Sequence, residues 1–200
     1  MDLSSFVDKQ RFESEIYIGD YSEYHKDNPT SSYKGLALAN MALPYIASLH
    51  IHNPIHIPVV GINFEYSLGI FKEQDKILRN CECMFISDKS AQKGWMLLVE
   101  LKYCSGSERA VLRNLEKGIE QLEQSYLHLR DNKKLFGQNE FRCAWVISLP
   151  EHDELIPFSS FFEQPEILLD YKDKYGVDIF TDNQLTILSH EYLTAGYESI

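Results

Sequence analysis

Glu100, Leu101 and Lys102 follow directly on the apolar run Trp95-Met96-Leu97-Leu98-Val99. Side chains alternate along a strand, so Glu100 and Lys102 project from the same face. A further acid, Glu82, lies in the preceding strand-like run, Ile77 to Ile86. If the two runs pair as a hairpin, two carboxylates and an ammonium converge at one sheet surface. That set suits a divalent cation, because carboxylate oxygens hold a hard metal and the metal activates water against a phosphodiester. On an edge strand the same tripeptide would be a surface ion pair of little consequence. The preceding run argues for an interior strand instead, since it is apolar on both faces: Met96 and Leu98 on one, Trp95, Leu97 and Val99 on the other.

Something must position these groups, and the order of elements around them is informative. A strand with an acid (Ile77 to Asp88) is followed by a polar turn (Lys89 to Gly94). A strand ending in acid-x-Lys comes next (Trp95 to Cys104), then a long helix (Glu108 to Arg130) and another strand (Phe141 to Pro150). This order and its motif resemble the PD-(D/E)xK nuclease superfamily, over about residues 76–150. The resemblance implies a restriction-endonuclease-like fold and a Mg²⁺- or Mn²⁺-dependent nuclease. Glu82, Glu100 and the backbone carbonyl of Leu101 would then hold the metal, and Lys102 would act on water or phosphate. The first acid of the family is usually Asp, often after Pro; here it is Glu82, after Asn80-Cys81. Glu65 is the candidate for the additional upstream carboxylate that members of this fold often place near the metal.

The long helix is the clearest in the chain. Val111, Leu115, Ile119, Leu122, Tyr126 and Leu129 recur at helical spacing as one apolar stripe. Ser105 or Ser107 can cap its start. Beside the stripe, Asn114, Gly118, Gln121, Ser125 and His128 form a small or polar, uncharged strip. Gln121 and Asn114 are the candidates there for contacting substrate; a Gln on this helix sits near the metal in several branches of the resembled superfamily. Those branches often add a Tyr four residues on, whereas Tyr126 is five beyond Gln121.

Composition bounds the rest. The chain has 200 residues, 44% of them hydrophobic, enough for one domain, 1–200, with a sizeable core. No apolar run approaches the ~20 residues that span a bilayer, and the start of the chain lacks the basic-then-apolar pattern of a signal peptide. A cytoplasmic protein without a membrane partner is expected. Cys81, Cys83, Cys104 and Cys143 fit reduced thiols near the core, with Cys81 and Cys83 facing opposite to Glu82. The net charge of −11 weighs against nucleic acid, whose binders usually present a basic face. Arg109, Arg113 and Lys117 along one helical face, then Arg130, Lys133, Lys134 and Arg142, are the local basic residues available.

Elsewhere, residues 1–34 predict a short helix and a loop, Leu36 to Leu49 a helix disturbed at Pro44, and His50 to Phe71 strand segments broken at Pro54 and Pro58. The tail predicts partial helix over Phe158 to Leu169 and a hairpin joining Val177–Phe180 to Gln184–Leu188. His50, His52 and His56 are a second metal-like cluster, with His50 and His52 on one strand face, compatible with zinc. Gly-rich phosphate loops, nucleophile elbows and dinucleotide fingerprints are absent. The sequence therefore predicts an α/β domain with a mixed central sheet and helices on its faces. Its expected partner is nucleic acid, DNA in preference to RNA; the alternative is a non-catalytic protein-interaction module on the same fold.

Overall fold

A computed structural model describes residues 3–67, 69–73, 76–87, 94–103, 108–134, 136, 141–151 and 165–196. Thirteen strands are described: β1 (Lys9–Phe12), β2 (Ile16–Asp20), β3 (Leu36–Ala39), β4 (Leu49–His52), β5 (Val59–Asn63), β6 (Lys72–Glu73), β7 (Lys76–Ile77), β8 (Cys83–Ser87), β9 (Gly94–Leu101), β10 (Phe141–Ser148), β11 (Val177–Phe180), β12 (Gln184–Ile187) and β13 (Leu193–Ala195). The α-helices are α1 (Ser22–Asp27), α2 (Glu108–Leu127) and α3 (Pro165–Tyr175); a π turn, His128–Asn132, extends α2.

The main sheet has six strands in the order β1-β5-β8-β9-β10-β11. Pairing is antiparallel from β1 to β9 and parallel from β9 to β11. Parallel neighbours need a crossover. Here α2 lies between β9 and β10 in the chain, and α3 between β10 and β11. Both helices cover one face, where Leu115, Leu122 and Tyr126 pack with Met96, Leu98 and Trp145, and Tyr171 and Tyr175 border the same cluster. Successive crossovers of one hand along one sheet direction put their helices on the same side.

The opposite face carries no helix among the described residues. A second, mixed sheet of five strands, β13-β12-β4-β2-β3, covers it. Ile16, Ile18, Leu49, Ile51, Leu185 and Ile187 from this sheet share one core with Cys83, Phe85, Trp95, Leu97 and Val99 from the first. The chain is thus α/β with two mixed sheets and few helices, and the expectation of helices on both faces is corrected.

Three further expectations change. Leu36 to Leu49 is not a helix: β3 and β4 flank a loop in which Tyr45 has φ 70°. Leu36 and Leu38 are buried while Ala37 and Ala39 are not, a period of two fixed by pairing with β2. The run from Ile77 to Ile86 is not one strand. Its start belongs to the small β6–β7 pair, and regular pairing with β9 begins at Cys83. The tail strands β11 and β12 exist but form no hairpin, since they belong to different sheets. Asn183 marks the passage: its Oδ1 accepts from Ser148 Oγ at 2.7 Å and its Nδ2 donates to the Leu149 carbonyl at 2.9 Å.

Segment 1–34 holds the short helix α1 but also β1 and β2, which the sequence reading missed. The apolar stripe of α2 is buried throughout, from Val111 to Leu129. Cys81, Cys83 and Cys143 are buried. Cys81 and Cys83 do not share a face: Cys81 packs in the helix-side core and Cys83 in the core between the sheets. Cys104, Ser105, Ser107, Gly137, Asp75, the turn residues 88–93 and positions 158–164 lie outside the described residues.

Candidate active site

β9 is buried along its whole length, and its alternation sends Met96, Leu98 and Glu100 toward α2. Glu100 is fully buried, 0% exposed. The helix passes close above it at Gly118, where a Cβ would lie 3.5 Å from Glu100 Cγ and 3.4 Å from the Ile147 side chain. Ile147 is the β10 residue in register with Glu100. Leu101 ends β9 with its side chain in the core between the sheets. Lys102 continues the pairing, its backbone N–H donating to the Ser148 carbonyl at 2.8 Å.

The Lys102 ammonium donates to Glu100 Oε1 and, at 2.8 Å, to Gln121 Oε1. Gln121 Nε2 donates to the Asn80 carbonyl at 3.1 Å. Ser125 Oγ accepts from the Cys81 N–H at 2.8 Å and donates to the Gln121 carbonyl. One turn further, His128 Nε2 lies 2.7 Å from the Ile70 carbonyl. The uncharged strip of α2 therefore grips Lys102 and the segment leading to Glu82. Asn114, half-buried, begins that strip one turn before Gly118.

Glu82 sits at a bend just before β8, half-buried. Its N–H donates to the Val99 carbonyl at 3.0 Å, and its carbonyl accepts from the Phe64 N–H at 3.1 Å. Those two bonds pin it between β9 and β5, beside Glu100. The electrostatics record the proximity. Burial pushes Glu82 up to about 7; the Asp20 and Glu65 charges push the same way and Lys102 opposes them. Burial pushes Glu100 up to about 8, with Lys102 opposing and Glu82 adding to the rise. Glu100 Oε2 is buried with no hydrogen-bond partner.

Glu65 opens a short 3₁₀ turn, and its Oε2 accepts from the Leu36 N–H at 3.0 Å. It is exposed, ties the turn to β3, and contributes to the field at Glu82. Sequence reasoning missed Asp20, the last residue of β2 and the largest charge influence on Glu82. Asp20 Oδ1 accepts from the Ser22 N–H at 2.8 Å and the Ser22 hydroxyl at 2.6 Å. Its own N–H donates to the Tyr103 hydroxyl at 3.1 Å, which donates in turn to the Ala47 carbonyl. The available signal was an acid closing the run Ile16-Tyr17-Ile18-Gly19, placed as Glu100 is at the end of its own run.

A carboxylate with one oxygen orphaned inside the fold, next to a second raised carboxyl, fits a hard divalent cation. Such a cation would supply the missing partner and favour the charged forms that burial disfavours. The basic residues are dispersed. Arg109, Arg113 and Lys117 are exposed on α2, Arg130 is held by Asp131, and Arg142 lies over the Tyr192 ring at 4.1 Å. No protein family, curated protein or solved structure matches this chain. No helix among the described residues is long and apolar enough to cross a membrane.

Proposed function

We propose that this protein is a divalent-metal-dependent nuclease with a restriction-endonuclease-like core, hydrolysing phosphodiester bonds in nucleic acid, DNA in preference to RNA. The observation that supports it above all is the fully buried Glu100, with an unpartnered oxygen, beside Glu82 and beneath Lys102. Glu82 and Glu100 would hold Mg²⁺ or Mn²⁺, with the Leu101 carbonyl as a backbone ligand and Glu65 at the margin. The bound cation would acidify a water and neutralise charge on the scissile phosphate. Lys102 would orient that water or stabilise the pentacovalent phosphorus, its ammonium directed by Gln121. Swinging from Glu100 Oε1 to the phosphate would also free that oxygen for the metal. The buried free thiols of Cys81 and Cys83 suit a reducing compartment, so the cytoplasm is the proposed location.

The test is cleavage of single- and double-stranded DNA and RNA with Mg²⁺ or Mn²⁺. Wild type should cut, Glu100→Gln should neither bind Mn²⁺ nor cut, and Lys102→Ala should bind Mn²⁺ without cutting. A second reading, a non-catalytic interaction module, is favoured by the net charge of −11 and by the ion pair that occupies Lys102. Absence of both cleavage and Mn²⁺ binding across the substrate panel would replace the enzyme with that module.

A further inference from the structure

The five-stranded sheet brings together residues that the nuclease reading does not use. β2 and β4 pair antiparallel, with Tyr17 opposite His50 and Ile16 opposite Ile51. The same register sets Glu15 against His52. Ile16, Ile18, Leu49 and Ile51 turn inward to the core, so Glu15, Tyr17, His50 and His52 share the outer face. Glu15 Oε2 lies 2.5 Å from His50 Nε2, and Glu15 Oε1 lies 2.9 Å from His52 Nδ1. One ligand atom from each of the three residues falls within 4.8 Å of the other two, and among the described residues no other set of three His, Cys, Asp or Glu side chains does so. His56 stands apart, with φ 53° and its Nδ1 against the Glu13 carbonyl at 2.8 Å.

We propose that Glu15, His50 and His52 form a binding site for a borderline-soft divalent cation, zinc in particular. Two imidazole nitrogens and one carboxylate oxygen are a zinc donor set, and they contrast with the all-oxygen set that Mg²⁺ requires. His50 and His52 stand on β4, and Glu15 directly precedes β2, the strand hydrogen-bonded to β4, so sheet pairing brings the three together before any metal arrives. The Tyr17 ring stacks on the His50 imidazole at 4.3 Å between centroids and 6° between planes, which fixes the ring that offers Nε2. On β12, Gln184 and Thr186 flank His50 and His52 in register. With Tyr17 they make the cross-strand neighbours uncharged.

Ligand atoms on a tetrahedral zinc with ~2.0–2.1 Å bonds stand ~3.3 Å apart. The present contacts are several tenths of an ångström shorter, and Glu15, with a side chain one-third exposed, has room to open by that amount. Three protein ligands leave the fourth position for water or an anionic ligand. The site does not rest on the Glu82–Glu100 pair: Glu100 belongs to the other sheet, on the face that α2 covers, and Glu82 lies just before β8 of that sheet.

The test uses the full chain stripped of metal by a chelator and titrated with Zn²⁺ by calorimetry. With excess Mg²⁺ present to occupy the Glu82–Glu100 pair, one equivalent should bind. His50→Gln and His52→Gln should each weaken binding by more than the ~10–100-fold that loss of a supporting group causes. Glu100→Gln should leave it unchanged, which separates this site from the nuclease site. Ring ¹⁵N spectra of the wild type should show Zn²⁺ moving His50 Nε2 and His52 Nδ1, a readout that needs no variant to fold. Failure to bind one equivalent, binding retained by the double histidine variant, or unshifted ring nitrogens would each overturn the proposal.

Discussion

Replacing Glu100 with Gln should stabilise the metal-free protein in alkaline solution and leave it nearly unchanged near pH 4. Burial raises the Glu100 carboxyl from an ordinary 4.5 to about 8. Between those values the unfolded chain has released a proton that the folded chain still holds. The folded state therefore loses stability as pH climbs through that window, and the loss levels off above about pH 8. At 1.36 kcal/mol per pH unit, the full span is an upper bound of about 5 kcal/mol. Glu82 shares the pocket and is raised to about 7, so the two carboxyls titrate as a pair and part of the relief passes to Glu82. An advantage of ~2–3 kcal/mol for Glu100→Gln at pH 8.5 is the working figure, falling toward zero near pH 4. The amide oxygen still accepts from Lys102, so the lost charge is the only large change. Urea denaturation at pH 4, 6, 7 and 8.5 measures it, with equal m values showing that the unfolded states are comparable. A divalent cation should reverse the ranking in part. At 10 mM Mg²⁺ and a Kd of ~1 mM, the wild type gains ~1.4 kcal/mol and the variant gains nothing. A pH-independent difference, or a variant less stable than wild type at pH 8.5, would refute the burial argument.

The remaining predictions concern packing and positioning. Leu115→Ala and Leu122→Ala, both at fully buried positions of α2, should each lower stability by ~2–5 kcal/mol in urea melts. Gly61→Ala should cost ~1–3 kcal/mol, because a Cβ there would stand 2.7 Å from the Phe85 ring and 2.9 Å from the Phe12 ring, both in the core between the sheets. Gln121→Leu removes the second acceptor of the Lys102 ammonium; cleavage should fall while Mn²⁺ binding stays, and Gln121→Glu should restore part of the rate.

The sequence alone determined the elements whose pattern is local and repeated. The apolar stripe of α2 has a period no other element can satisfy, and β9 and β10 are apolar on both faces because helices cover one face of their sheet and the second sheet covers the other. The face shared by Met96, Leu98 and Glu100 follows from alternation, and so was legible before any fold. Tertiary structure decided everything that depends on pairing between distant segments. Leu36 to Leu49 reads as a damaged helix until β2 and the second sheet select two short strands from it. The tail strands read as a hairpin until their partners, β10 and β4, draw them into different sheets. The same holds for the charges. Glu82 precedes its strand at a bend, Asp20 arrives from β2, and Gln121 turns to Lys102 and Asn80 because α2 packs tightly at Gly118. Glu15 meets His50 and His52 only because β2 and β4 are neighbours. A side chain's type and local face are written along the chain; which other charges it meets, and how far it is withdrawn from water, are set by the segments that pack against it.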